Sequence, residues 1–331
     1  MPNDFEEFHA ELRAVAGQVL TKDGSWDVLV DTGWTGLEIA EAFGGAGAGF
    51  TEVALICQEI GRAGAATGYL GGAVLAVGAL NALAPSGVRD NLLCDIAAGS
   101  DRTAVVLEGF QLRNKRLYGS SEFVLDADGC DRLLVLADVE GESPALAVAN
   151  GLMVTPQPVL DDTRSVARVS ADGLAVAEVL EFEDSRPRQV LLDRAAVAIA
   201  CDSLGLAQAM LDETVSYVRM RHQFGRPIGS FQAVKHACAD MLVTLTVSRQ
   251  LVDAAVGAVA AGVDTTAAAS MAKAHATSAA VDITGKAMQL HGGIGYTWES
   301  GIHVYLKRAT FNRSLFGSPA AHRRKLIHRY Q

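Results

Sequence analysis

"RHQFGRPIGSFQ", Arg221 to Gln232, separates two long helical patterns, and its reading decides how the chain divides. The stretch carries Arg221 and Arg226, two aromatics, several turn-formers and no acid, inside a chain whose net charge is −10. Before it, "DRAAVAIACDSLGLAQAMLDETVSYVRMR" keeps apolar residues at helical spacing. After it, "SFQAVKHACADMLVTLTVSRQLVDAAVGAVAAG" does the same, with Ser230 as the expected N-cap. A third helix, "DTTAAASMAKAHATSAAVDITGKAMQLHGG", is expected to stop at Gly292 and Gly293. Two shorter helices, "ESGIHVYLKRATFNRSLF" and "SPAAHRRKLIHRY", follow, the latter with Pro319 at its first turn. Residues 189–331 therefore read as a bundle of long helices with short connections.

Upstream, the pattern changes twice. Residues 101–188 hold short β-rich runs such as "TAVVLE" and "RLLVLADV", punctuated by turns such as "DADGCD" and "SADG". They read as a small antiparallel β domain. Residues 1–100 are helical again. "FEEFHAELRAVAGQVL" places Phe8, Leu12, Val15 and Val19 on one face, and "TEVALICQEIGRAG" opens at Thr51 as a candidate N-cap. The Gly-rich "FGGAGAGF" follows no strand and fits no phosphate-loop frame, so it reads as a connector.

Composition narrows the function classes. Half of the 331 residues are hydrophobic, enough for a sizeable core. With a pI near 5.3, no face is basic enough to neutralise a nucleic-acid backbone. Five widely spaced cysteines fit buried thiols in a reducing cytoplasm rather than disulfides or a zinc site. The acidic start lacks the apolar run of a signal peptide. The uncharged stretch 63–88 is long enough to span a bilayer, but it is rich in Ala and Gly and broken by Pro85. It reads as a buried helix, so no membrane span is expected.

"RHQFGRPIGSFQAVKHACADM" (Arg221–Met241), "QLHGGIGYTWE" (Gln289–Glu299) and "GWTGLEIAEAFGGAGAGFTEVALICQEIGRAG" (Gly33–Gly64) together resemble the flavin-dependent acyl-CoA dehydrogenases, over nearly the whole chain. The resemblance implies a mainly α fold with a small central β domain: an N-terminal helical domain (1–100), a β domain (101–188) and a C-terminal four-helix bundle (189–331). It also implies FAD. In the family, positions in the Arg221–Met241 and Gln289–Glu299 motifs bind the adenosine and pyrophosphate end of a flavin held by the neighbouring chain. Carried over, the cofactor-binding residues are Arg221, Phe224, Gln232, Gln289, Gly292 and Gly293. The chemistry agrees. Arginine offers a charged fork for phosphate oxygens, amides donate and accept, and glycines let backbone N–H groups approach a ligand.

The same resemblance exposes losses. The family's catalytic Glu, which removes the α-proton of the thioester, stands at one of two positions, and here these fall on Phe316 and Ala195. A substrate-steadying Arg of many relatives falls on Ala196. No "GSD" follows Glu108, the loop to Leu117 is short, and Leu125 and Asp126 stand where flavin contacts are expected. The resemblance thus implies a non-catalytic subunit completing the FAD site of a homologous catalytic acyl-CoA dehydrogenase subunit. Such α2β2 heterotetramers occur in actinobacterial steroid side-chain degradation, and an electron-transfer flavoprotein would take the electrons. The alternatives are a homomeric flavoenzyme with Glu108 or Glu299 recruited as base, and a non-enzymatic assembly scaffold. Asp193 reads as a charge near a helix N-terminus, and His291 and His303 as exposed residues without metal-ligand spacing. The basic stretch "HRRKLIHRY" reads as a contact for an acidic subunit surface or a complement to a helix C-terminus, with the phosphates of CoA as the lesser alternative.

Overall fold

The computed structural model describes residues 2–329. Tyr330, at the end of the basic C-terminal stretch, lies outside them. The chain folds into two compact units, one of residues 1–23, 54–65 and 196–331, the other of 24–53 and 66–195. The helices are α1 (Pro2–Leu20), α2 (Trp26–Asp31), α3 (Phe50–Ala63), α4 (Val77–Asn81), α5 (Gly87–Ala97), α6 (Pro187–Met220), α7 (Gln232–Ala260), α8 (Thr266–His291), α9 (Ile302–Ser314) and α10 (Pro319–Arg329).

The unit of residues 24–53 and 66–195 is built on a seven-stranded sheet. Its strands are β1 (Thr103–Arg113), β2 (Arg116–Leu125), β3 (Arg132–Val139), β4 (Ala145–Ala149), β5 (Met153–Pro156), β6 (Val166–Ala175) and β7 (Glu178–Leu180), in the order β5-β6-β2-β1-β3-β4-β7. Pairing is antiparallel except between β1 and β3, which run parallel. Val106, Phe110, Leu117, Val135 and Val169 form the centre of its core. The uncharged stretch 63–88 forms a wide helical turn, Leu70–Ala76, that continues into α4, and every residue of that turn is buried. Twelve helical residues are too few to cross a bilayer. Burial, not lipid, explains why these residues are apolar.

In the other unit the helices cross closely. A Cβ on Gly61 of α3 would lie 1.9 Å from the Asp202 carbonyl oxygen, and one on Gly205 of α6 would lie 1.8 Å from that of Gln58. Only glycine permits this approach. Beside the crossing, the fully buried Arg308 of α9 donates from Nε and Nη2 to the Asp202 carboxylate, at 3.0 and 2.5 Å, and from Nη1 to the Ala65 carbonyl, at 2.8 Å. Asn312 donates to the same carboxylate at 2.6 Å. A buried charge with this many partners is tolerated; removing one partner strands the other at a cost of about 3–5 kcal/mol.

Helix α7 is the one helix among the described residues that is long and apolar enough to cross a membrane by length and composition, and only 28% of its apolar window is buried. Leu242, Val243 and Val247 stand exposed on it. The stretch that raised the membrane question in the sequence was a different one.

Several local expectations are corrected. Helix α3 begins at Phe50, so Thr51 is not its N-cap; the Glu52 carboxylate instead accepts the Gly49 N–H at 2.9 Å. Ser230 does not cap α7: its hydroxyl donates to the Pro227 carbonyl, and Phe231 occupies the N-cap with no side-chain bond. Asp193 lies beyond the first turn of α6, buried, accepting from Gln189 at 2.7 Å, too far along to serve the helix dipole. His291 is buried and His303 half-buried, neither of them exposed. Of the cysteines only Cys57 and Cys201 are buried, while Cys94 is exposed.

Candidate functional site

Helix α6 ends at Met220, and the chain turns back through a minimal hairpin, β8 (His222–Gln223) paired with β9 (Arg226–Pro227). The two loop residues, Phe224 and Gly225, both take positive φ, 53° and 77°, as a two-residue hairpin of matching twist requires. The Ile228 N–H closes the base of the turn on the Arg221 carbonyl at 2.8 Å. Phenylalanine in the left-handed region is strained by about 1 kcal/mol or more, and here its ring is 90% exposed at the tip. Behind it, Phe231 meets the Phe224 ring edge-on at 6.1 Å and carries the Arg226 guanidinium over its face at 4.1 Å.

The charge is one-sided. Between Arg219 and His236 stand Arg219, Arg221, Arg226 and Lys235, and no acid. Helix α7 starts there without a side-chain cap, so its first amides keep free donors and the positive end of its dipole. Both features favour an anion.

The second motif arrives at the same place. Helix α8 stops where Gly292 takes φ 64° and ψ −141°, a combination open to glycine and strained for other residues. A Cβ on Gly292 or Gly293 would meet nothing within 4 Å, so the backbone there faces open space. Tyr217, one turn before the end of α6, stacks on His291 at 4.2 Å with 23° between the rings, and its hydroxyl donates to the His291 carbonyl at 3.2 Å. The Arg221 N–H in turn donates to the Tyr217 carbonyl at 2.9 Å. The ends of α6 and α8 are thereby tied together. Arg221, Phe224, Gln232, Gln289, Gly292 and Gly293 are all exposed. A cationic fork, an open glycine turn and an uncapped helix start suit a pyrophosphate, and an exposed aromatic ring suits a base or ribose.

The positions expected to hold a base look different. Ala195 is buried within α6. One residue earlier, Arg194 reaches inward. It pairs with Glu38 through both terminal nitrogens, donates from Nε to the Val74 carbonyl at 2.8 Å and lies 4.5 Å over the Phe50 ring. Gly78 makes room for it: a Cβ there would sit 2.4 Å from the Arg194 Nε. Phe316 occupies the α9–α10 turn with φ 52°. His322 Nε2 donates to its carbonyl at 3.0 Å, and the fully buried Lys273 donates to the Gly317 carbonyl at 2.9 Å. Ser270 Oγ completes the clasp on His322 Nδ1 at 3.2 Å. Burial pulls Lys273 down to about 7 and His322 down to about 4.

Leu125 is buried, and Asp126, with φ 56°, accepts the Gly71 N–H at 2.7 Å. Glu108 and Glu299 are both exposed. Glu299 is held below the usual carboxylate range by its own backbone N–H and the Thr297 hydroxyl, the opposite of what a general base near neutrality needs. Tyr217, Arg194 and Lys273 escaped the sequence reading, and His322, read as the start of a basic contact stretch, is buried. Their partners lie far along the chain, and no local spacing flags them.

Comparison with known proteins gives the family. Residues 5–100 match the N-terminal domain model of the acyl-CoA dehydrogenases, and residues 188–330 match the C-terminal domain model. The chain belongs to the acyl-CoA dehydrogenase family. Among its curated relatives, acyl-CoA dehydrogenase IpdE2 of Mycobacterium tuberculosis (strain ATCC 25618 / H37Rv) is 33% identical over 302 residues, covering 91% of this chain and 85% of that protein. A solved variant named as the Tcur3481-Tcur3483 steroid ACAD superposes with a TM-score of 0.88 at 27% identity, covering 98% of this chain and 97% of the other. The ChsE4-ChsE5 complex from Mycobacterium tuberculosis gives a TM-score of 0.88 at 23% identity over 97% of this chain and 96% of the other, a likeness of fold.

Proposed function

We propose that this acyl-CoA dehydrogenase family member is the partner subunit of a heteromeric, FAD-dependent, cytoplasmic enzyme, completing the FAD site of a homologous catalytic chain. The observation that carries this reading is a contrast. Arg221, Phe224, Gln232, Gln289, Gly292 and Gly293 are all exposed, on a cationic hairpin and a glycine turn whose helices Tyr217 and His291 tie together, while the two positions expected for a base carry Ala195 and Phe316. Arg194, locked to Glu38 beside Ala195, and Asp126, engaged by Gly71, fit a chain whose own flavin and substrate contacts have been given up. The exposed apolar row of α7 fits burial against another subunit. The layout of residues 1–100, 101–188 and 189–331 as helical, β and bundle domains is part of the same proposal.

In the assembly, bound FAD would accept the hydride leaving the β-carbon of a CoA thioester. This chain's work would be to bind and orient. Arg221 would grip pyrophosphate oxygens, with Gly292 and Gly293 presenting backbone to the same group. Phe224 would lie against adenine or ribose, and Gln232 and Gln289 would fix its polar edges. The α-proton would go to a carboxylate of the partner, and electrons would pass on to an electron-transfer flavoprotein. The likeness to a solved steroid ACAD supports a steroid side-chain or other bulky acyl-CoA as substrate.

Co-expression with candidate catalytic relatives tests the proposal. The expected product is a yellow complex with about one FAD per two chains, and Arg221→Ala should lower FAD retention by roughly 10- to 100-fold, the worth of a charge-assisted bond. One FAD per chain in a homomer that reduces its flavin with acyl-CoA would favour a relocated base. A flavin-free assembly would leave the scaffold alternative.

A further inference from the structure

We infer that Tyr217 and His291 form a positioning joint that sets the Arg221 hairpin and the Gly292 turn at one spacing, so that both grip a single dinucleotide. The inference rests on the shared FAD site proposed above.

Each half of the grip is weakly anchored on its own side. The hairpin is four paired residues with a strained phenylalanine at its tip, too little to hold itself in water. The glycine turn has no Cβ to pack against anything. Both hang from helix ends that fray unless tied. Two side-chain contacts supply the tie: the Tyr217 ring stacks on the imidazole, and its hydroxyl donates to the carbonyl immediately before Gly292. The last backbone bond of α6, from the Arg221 N–H to the Tyr217 carbonyl, carries the tie on to the hairpin. One tyrosine therefore touches the residue bearing the cation on one side and the last residue before the open glycine on the other.

The imidazole is held in one orientation. His291 Nδ1 donates to the Ala287 carbonyl at 2.8 Å. Nε2 is buried without a hydrogen-bond partner. A side chain kept only for packing would be better served by Leu or Phe, because an unmatched buried polar atom costs stability. Retaining histidine fits a role in geometry: the ring donates back to its own helix, which fixes its plane, and presents that plane to Tyr217. Positioning of this kind matters because binding groups misplaced by about 1 Å lose much of their effect.

The test is FAD titration of the flavin-stripped complex, comparing wild type, Tyr217→Phe, His291→Leu, Arg221→Ala and the double variant His291→Leu/Arg221→Ala. Tyr217→Phe keeps the stack and loses one hydrogen bond, so it remains informative if His291→Leu fails to fold. The expected result is a loss of about threefold in Tyr217→Phe and about tenfold in His291→Leu. In the Arg221→Ala background the His291→Leu loss should shrink to under threefold, since the joint then has no cation to place. A joint that merely supports the fold would instead lower the melting temperature of the stripped complex and leave the two losses multiplicative. Multiplicative losses, or unchanged affinity in both single joint variants while Arg221→Ala is impaired, overturn the inference alone. Unchanged affinity in Arg221→Ala overturns the shared FAD site and the joint with it.

Discussion

Among the described residues a Phe-Gly dipeptide takes one unusual conformation twice, put to opposite uses. Phe224-Gly225 and Phe316-Gly317 both place phenylalanine at φ near 52° with a positive-φ glycine after it. At the first, the ring stands 90% exposed at the tip of a hairpin. At the second, the ring is half-buried, and the two carbonyls of the dipeptide are held from within by His322 and Lys273, both buried. Strain at the first turn is met only by the hairpin's own backbone bonds and the edge of Phe231, with the ring left outside, which is how a residue kept for an external contact behaves. Strain at the second is over-determined by a clasp of buried side chains. The pair teaches that backbone conformation alone does not mark a functional turn; what marks it is whether the protein itself uses the result.

The largest way to break the comparison is through the clasp's titration. An unfolded lysine titrates near 10.5, whereas buried Lys273 titrates near 7. Between those values the unfolded chain holds a proton that the folded chain has released, so stability rises with pH from about 7 to about 10.5, and the full penalty applies below 7. His322, lowered from 6.5 to about 4, adds a second loss as pH falls through that lower window. No carboxylate is among the groups that shift either residue; His322 faces Lys273 and Lys325, and burial alone acts on Lys273. Lys273→Met should flatten the alkaline rise. At pH 7 it should stabilise the chain by about 1–3 kcal/mol, the relief of a buried charge less the bond lost at Gly317. Denaturant unfolding at several pH values measures this, and an unchanged alkaline slope would place the effect elsewhere.

A medium-sized effect tests the two phenylalanines against each other. Phe316→Gly removes a half-buried ring and should cost about 1–3 kcal/mol. Phe224→Gly removes little packing and relieves the left-handed strain, so stability should stay level or rise by up to about 1 kcal/mol. FAD retention in the complex should nonetheless fall. Loss of stability in Phe224→Gly would contradict the view of that ring as displayed. The smallest effect on the chain itself is expected from Val243→Lys on the exposed face of α7: within about 0.5 kcal/mol for unfolding, yet with weakened assembly on size-exclusion chromatography.

Much of this was legible in the sequence because it is local. Helical spacing, the stop at Gly292 and Pro319 at the first turn of α10 are each set by neighbouring residues. The motif residues Arg221, Phe224 and Gly292 came from resemblance, and the structure leaves all three exposed. What stayed hidden depends on long-range packing. Tyr217 meets His291 across 74 residues, and Arg194 meets Glu38 across 156. Lys273, inside the run "MAKAHA", carries no local sign that its ammonium ends on a carbonyl of a distant turn. Ser230 looked like a cap because serine before a helix usually is one, but the turn at Pro227 claimed its hydroxyl first.

The interlock of Arg194 has a historical consequence. Its guanidinium occupies space that exists only because residue 78 is glycine, and it holds Glu38, the Val74 carbonyl and the Phe50 face at once. Restoring a glutamate at Ala195 would add a carboxylate to a flank already closed, beside a cation committed elsewhere. Several coordinated replacements would be needed before such a reversion gained anything. On the partner-subunit role proposed above, a chain past this point would be held there as by a ratchet, with selection acting on how well it serves another subunit and hardly on a return to independence.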